Sequence, residues 1–125
     1  MLHLLLVMLG GAIGAGARHL TGRLTLALFG PNFPWGTLTV NILGGLMMGL
    51  LTGWLAARAG GDSALRYLLG VGMLGGFTTF SAFSLDTVLM LEREQFLLAG
   101  FYILSSVIFS LAALFAGLQI ARGLA

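Results

Sequence analysis

The stretch Gly75-Gly76-Phe77-Thr78-Thr79-Phe80-Ser81-Ala82-Phe83 interrupts a long apolar segment of the chain. Its two adjacent glycines weaken a helix by about 1 kcal/mol each relative to alanine. Its threonine hydroxyls can bond the local backbone and so compete with a regular helix. Two interpretations follow: a helix kink at small residues packed against a neighbour, or a broken membrane helix whose freed backbone groups bind a ligand. The rest of the chain decides between them.

The composition is that of a membrane protein. Of 125 residues, 58% are hydrophobic and only 8% are charged, and the mean hydropathy is +1.04, whereas a soluble domain is about 25% charged. The chain has no cysteine, which excludes disulfides and thiolate metal sites. Its six arginines are scattered, so no basic patch predicts nucleic-acid binding. It has no nucleotide-binding loop and no Ser/His/Asp set, so we predict no enzyme.

Four segments are long and apolar enough to cross a bilayer, which takes about 20 residues. They cover approximately residues 2–29, 35–57, 65–91 and 95–121. The connections between them are rich in turn residues or charges and cover residues 30–34, 58–63 and 92–94. We therefore expect an all-α membrane protein with one domain, residues 1–125, of four transmembrane helices, the third broken near the midplane.

The arginines favour neither orientation of the chain. With alternating spans they divide three against three between the two sides, Arg58, Arg66 and Arg122 against Arg18, Arg23 and Arg93. Because Lys/Arg bias in short loops sets orientation, we predict insertion both ways and an antiparallel homodimer with a twofold axis in the membrane plane. The alternative is a topology fixed by the insertion machinery or by a partner subunit.

Glycines recur at four-residue spacing on three of the spans. The sets are Gly10 and Gly14, then Gly45, Gly49 and Gly53, then Gly72 and Gly76. Such faces let helices approach closely in lipid. Close packing within one subunit accounts for most of them, although 20 glycines in 125 residues also suggest contacts between subunits.

Two stripes of polar residues run along otherwise apolar spans. Thr37 and Asn41 share a face of the second span, because residues four apart lie on one side of a helix. Tyr102, Ser106 and Ser110 form a stripe on the fourth span. A single serine in a membrane helix usually bonds its own backbone four residues back, but three hydroxyls in register, with a second stripe nearby, favour a path lined by hydrogen-bond donors.

The glycine-threonine stretch lies near the middle of its span. At about 1.5 Å per residue, Gly75 is about 15 Å into a hydrocarbon core about 30 Å thick. Irregular backbone at that depth is tolerated only where it is buried in protein or lines a watery cavity. Its unpaired carbonyls could coordinate a hard cation, and the positive ring edges of Phe80 and Phe83 could face a small anion. Within the spans the one acid is Asp86, toward the end of the third, which argues against a proton- or cation-coupled carboxylate site at the midplane.

These residues resemble the Fluc family of fluoride channels, also called CrcB proteins. The chain shares the family's four-span plan and small size. Four stretches also match: residues 10–18, 35–44 and 75–83, and the stripe of Tyr102, Ser106 and Ser110. It implies passive fluoride efflux across the inner or plasma membrane of a prokaryote, through two antiparallel pores of a dual-topology homodimer. Fluoride as the permeant ion comes from the resemblance alone.

The resemblance also implies roles for particular residues. Backbone carbonyls of Gly75 and Thr78 from both subunits would hold a structural sodium ion on the twofold axis. Phe80 and Phe83 would be the paired pore phenylalanines, and Asn41 matches the asparagine of the family's second span. The polar track on the family's fourth helix maps to Tyr102, Ser106 and Ser110.

Charged residues near the ends of the path are candidates for a vestibule. Arg18 and Arg23 are expected to reach an interface with their long side chains; the alternative is that they raise the anion concentration at a pore entrance. Asp86 stands where the family can have a glutamate near the pore, and its side chain is shorter by one methylene group.

Two other functions remain open. A small drug/proton antiporter is also a four-span, dual-topology dimer, but it needs an embedded carboxylate, and the first span has none. A membrane subunit that does not transport anything would explain the glycine faces, but it leaves the two polar stripes without a purpose.

Overall fold

The computed structural model describes residues 1–58 and 63–124, which form four helical spans of membrane length. The helices are α1 (Leu2–Phe29), α2 (Trp35–Ala57), α3 (residues 63–77), α4 (Phe80–Glu92) and α5 (Phe96–Leu124). Together α3 and α4 make the third span. The described residues contain no strand, so the predicted all-α, four-span architecture is confirmed. The predicted connection at 58–63 lies mostly outside the described residues.

The third span is broken at Thr78 and Thr79, and not at the glycines before them. Both threonines have extended backbone, whereas Gly75 and Gly76 are still helical. The Thr78 hydroxyl donates to the Leu74 carbonyl at 2.9 Å and closes α3. The Thr79 hydroxyl accepts from the Ala82 N–H at 3.1 Å and caps the start of α4. The sequence predicts a break at the glycines and threonines together, whereas in the structure the threonine side chains close the two helix ends.

The first half of the third span contains a π-helix that the sequence did not predict. Residues Arg66–Leu74 form this wider helix, followed by one α-helical turn at Gly75–Phe77. In a π-helix each carbonyl accepts a hydrogen bond from the N–H of the residue five positions later in the chain. Its backbone carbonyls at Leu68 and Met73 lie directly against α1.

Glycines allow the helix pairs to touch through their backbones. A Cβ at Gly14 would overlap the Met73 carbonyl, and a Cβ at Gly76 would lie 2.6 Å from the Gly11 carbonyl oxygen. Between α2 and α5 the same is true at Gly49, where a Cβ would overlap the Leu114 carbonyl. The prediction that most of these glycines pack within one subunit is confirmed. The α1–α3 contact brings the break against α1, and the α2–α5 contact brings both polar stripes together.

Replacing Gly14 by alanine is expected to lower the Tm of the purified protein, because the added methyl would overlap a backbone carbonyl that cannot turn aside. Overpacking of this kind costs about 1–3 kcal/mol. Gly16→Ala is the matched control, because a Cβ there meets nothing within 4 Å and alanine favours a helix by about 1 kcal/mol. Thermal unfolding in detergent, followed by circular dichroism, compares the two. An unchanged Tm for Gly14→Ala would contradict the packing of α1 on α3.

Candidate functional site

The side chain of Asn41 holds the backbone of the break with two hydrogen bonds. Its Nδ2 donates to the Thr79 carbonyl at 3.0 Å, and its Oδ1 accepts from the Thr79 N–H at 2.8 Å. An asparagine amide presents donor and acceptor side by side, so it supplies the partners that Thr79 loses where the helix stops. One N–H of the amide is left over for a ligand. Asn41, predicted to line an ion path, is thus also the residue that ties α2 to the break.

The carbonyls around the break fall into two sets. The Gly76 carbonyl accepts from Arg18 Nε at 3.1 Å, and the Thr79 carbonyl accepts from Asn41. Within residues 1–58 and 63–124, no hydrogen-bond donor reaches the carbonyls of Gly75 and Thr78. Gly75 is exposed and Thr78 is half-buried. The predicted cation ligands are therefore carbonyl oxygens without a donor in the described residues, on residues that are not fully buried.

A groove of about 410 Å³ runs beside the break on the faces of α2, α4 and α5. Five of the predicted path residues line it: Asn41, Phe80, Phe83, Ser106 and Ser110. The Phe80 ring is 77% exposed, and it lies 5.6 Å from the Phe83 ring between centroids, tilted by 46°. The groove thus combines ring edges with hydroxyl groups.

Two hydroxyls in this groove have no partner in the described part of the chain. Ser106 Oγ and Ser110 Oγ are both buried, and neither makes a hydrogen bond there. A buried polar group without a partner costs about 1–3 kcal/mol. Serines of a membrane helix ordinarily avoid this cost by bonding the carbonyl four residues back, as Ser84 does to Phe80. Ser106 and Ser110 are instead available to a ligand that accepts hydrogen bonds.

A second cavity, of about 420 Å³, lies on the other side of the break. Arg18, Thr37 and Asp86 line it, and so does Thr79, which also lines the groove. Arg23 does not line it and is exposed. A vestibule was the alternative role considered for both arginines, and the structure places Arg18, but not Arg23, in this cavity.

Tyr102 lies between the cavity and the groove. Its side chain is fully buried, and its hydroxyl donates to Asp86 Oδ2 at 3.0 Å. Its ring centroid is 5.3 Å from that of Phe83. The predicted site residues thus form two groups, an outer one around Tyr102 and an inner one around Ser106, which meet at the Tyr102–Phe83 contact.

Sequence reasoning missed several contacts that shape this site, among them the Asn41–Thr79 hydrogen bonds, the N-cap at Thr79 and the Arg18–Gly76 bond. Thr79 was not singled out, although a threonine directly before a new helix is a common N-cap. The bond from Arg18 to the Gly76 carbonyl was also not foreseen. The available signal was that an arginine inside an apolar span needs a polar partner, but the sequence does not say which one.

The chain is similar to one family of known proteins. The profile of the family described as CrcB-like protein, Camphor Resistance (CrcB), matches residues 5–118. A relative from Caulobacter sp. (strain K31), named Fluoride-specific ion channel FluC, is 58% identical over 123 residues, 98% of this chain and 96% of the relative. Proteins of the same name from Sphingopyxis alaskensis and Agrobacterium fabrum are 56% and 51% identical over 118 and 124 residues, 94% and 99% of each chain.

Asn41→Ala is expected to speed hydrogen exchange at the Thr79 amide, because the substitution removes its acceptor and the restraint on the neighbouring carbonyl. Two hydrogen bonds worth about 1 kcal/mol each correspond to roughly a thirtyfold change in protection. Hydrogen exchange read out by mass spectrometry over residues 76–84 measures it. Asn32→Ala, at an exposed asparagine outside the helices, is the control. Protection that is the same in both variants would contradict the assigned role of Asn41.

Proposed function

The chain belongs to the CrcB family, and we propose that two antiparallel copies of it form a passive fluoride channel. It is a multi-pass protein of the prokaryotic plasma membrane and a transport protein, not an enzyme. Fluoride is the permeant ion because relatives 51–58% identical over nearly the whole chain are named fluoride-specific channels. Flux through such a pore follows the gradient, so accumulated fluoride leaves the cell.

The pair of unpartnered hydroxyls at Ser106 and Ser110 is the observation that best supports an anion path here. Fluoride is small and accepts hydrogen bonds, so it can replace water with these donors and with the free N–H of Asn41. The rings of Phe80 and Phe83 add positive edges to the same groove. Among the described residues, no basic side chain lines this groove, so the ion would be held by several weak donors, which allows it to leave again.

The outer residues continue the proposed path toward water. Arg18 supplies a positive charge in the second cavity, here called the outer cavity, and Thr37 supplies a hydroxyl there. Tyr102 is joined to the same cavity through its hydrogen bond to Asp86. Asp86 Oδ2 accepts a hydrogen bond from the Tyr102 hydroxyl and orients it. In this proposal an ion passes from the cavity, beside the Tyr102–Phe83 contact, into the groove.

A proton-coupled antiporter is not favoured. That mechanism needs a carboxylate within the membrane that exchanges protons for substrate. α1 contains no acid, and Asp86 is engaged by the Tyr102 hydroxyl near the end of the third span. The family assignment points the same way.

The exposed break supports the proposed pairing of two copies. Thr78 and Thr79 lie at the middle of the third span, Arg66–Glu92, and open backbone at that depth is not tolerated against lipid. A second copy would cover Gly75, Phe80 and the open groove. The even division of arginines between the two sides of the membrane supports an inverted second copy.

The open carbonyls fit the sodium ion that the family resemblance implies. Those of Gly75 and Thr78 are oxygen atoms without a donor in the described chain, and oxygen is the ligand that a hard cation prefers. We propose that both carbonyls, once from each copy, would hold the ion. When bound, it would supply a positive charge on the dimer axis that favours an anion nearby.

Liposomes that contain the protein, loaded with potassium fluoride and treated with valinomycin, are expected to release fluoride, whereas chloride stays at the level of protein-free liposomes. Phe80→Ile should slow fluoride release about tenfold, because an aliphatic side chain has no positive edge and 1.4 kcal/mol changes a rate tenfold. Phe109→Ile is the control, since Phe109 is 54% exposed on α5 and does not line the groove.

Absence of fluoride release by the unmodified protein would refute the channel. A normal rate for Phe80→Ile, with an active unmodified protein, would refute only the role of the ring.

Dual insertion predicts that a single cysteine is reachable from both sides of the membrane. The chain has no cysteine, so Asn32→Cys, in the exposed connection between α1 and α2, gives one label site without changing the charge count. About half of the molecules should react with a membrane-impermeant maleimide in right-side-out vesicles, and the rest only after inversion. Labelling from one side only would contradict the antiparallel pair.

A further inference from the structure

We propose that Arg18 is a positioning residue for the break: its guanidinium holds the Gly76 carbonyl so that the carbonyls of Gly75 and Thr78 stay free for a cation. The inference rests on the proposed function, because the break affects transport only if the ion path runs beside it. It differs from a vestibule role, in which Arg18 would act on anions through its charge alone.

The contact joins the middle of α1 to the last turn of α3. Arg18 Nε donates to the Gly76 carbonyl at 3.1 Å, and the contact is partly buried. A donor that carries charge makes a bond roughly twice as strong as a neutral one. Gly76 is also restrained by close packing against α1. The two backbones are so near that a Cβ at Gly76 would lie 2.6 Å from the Gly11 carbonyl oxygen.

Arg18 and Asn41 bracket the open carbonyls from two directions. Arg18 donates to the carbonyl of Gly76, the residue after Gly75, and Asn41 donates to the carbonyl of Thr79, the residue after Thr78. Each open carbonyl is therefore joined through one Cα to a peptide group that a side chain holds in place. Glycine has the largest backbone freedom of any residue, so Gly75 and Gly76 are where an outside restraint has the largest effect.

Arg18 also lines the outer cavity, so its hydrogen bond and its charge have to be separated by substitution. Arg18→Gln keeps an N–H at the position of Nε, the same number of bonds from Cβ, and loses the charge. Arg18→Met loses both and keeps the apolar stem. Arg23→Gln is the matched control, because it removes the same charge from an exposed position on the same helix that lines neither cavity nor groove.

The readout is the rise in Tm that sodium gives the purified protein, measured in sodium chloride against N-methyl-D-glucamine chloride at equal ionic strength. Arg18→Met should need about tenfold more sodium for half of this rise, the loss expected for one charge-assisted hydrogen bond. Arg18→Gln and Arg23→Gln should stay within about threefold of the unmodified protein, because a neutral donor keeps about half of the bond strength.

Equal sodium dependence in Arg18→Met and the unmodified protein would overturn the inference. A Gln variant that behaves like Arg18→Met would also overturn it, because the effect would then belong to the charge. If Arg18→Met does not fold, Arg18→Lys decides between the two roles. A positioning role predicts a smaller rise in Tm with sodium, because the lysine donor is one bond further from Cβ than Nε. A charge role predicts the same rise as in the unmodified protein, because the charge is kept.

Fluoride release from liposomes, measured on the same preparations, keeps the two proposals apart. A protein that conducts fluoride but gains no stability from sodium contradicts the inference and leaves the channel standing. A protein that sodium stabilises but that conducts no fluoride contradicts the channel and leaves the role of Arg18 at the break standing.

Discussion

The two hydrogen bonds between the Asn41 amide and the Thr79 backbone are the constraint on which the rest of this structure depends. A helix broken inside a membrane has to satisfy backbone groups that water cannot reach. Asn41 does so for Thr79, the threonine hydroxyls close the adjacent helix ends, and Arg18 takes the Gly76 carbonyl. Among the described residues, the carbonyls of Gly75 and Thr78 stay without a hydrogen-bond donor, and in the proposed function this openness makes the break a binding site and not a simple kink.

The glycines place these groups within reach of one another. Close backbone contact between α1 and α3 puts Arg18 beside Gly76, and close contact between α2 and α5 puts Asn41 across a groove from Ser106 and Ser110. Larger residues at these contacts would separate the helices and lengthen the hydrogen bonds. In this chain the small residues therefore serve the site as well as the packing, and the two roles cannot be separated by position alone.

The sequence predicted the spans well because apolar length and turn residues are local signals. The bounds of α1 and α2 agree with prediction, and the break falls three residues after the first glycine of the quoted stretch. The π-helix at Arg66–Leu74 was missed, because its apolar composition is that of any membrane helix. The partners of Asn41 and Arg18 were also missed, since they lie 38 and 58 residues away and depend on how the helices pack.

Solid-state NMR of the labelled protein in bilayers tests the central claim most directly, because the adjacent pairs Gly75-Gly76 and Thr78-Thr79 each combine one open carbonyl with one held by a side chain. When sodium is exchanged for N-methyl-D-glucamine, the account predicts that the carbonyl ¹³C shifts of Gly75 and Thr78 move while those of Gly76 and Thr79 stay in place. Shifts that are unchanged at all four carbonyls, or that move equally within each pair, would contradict it.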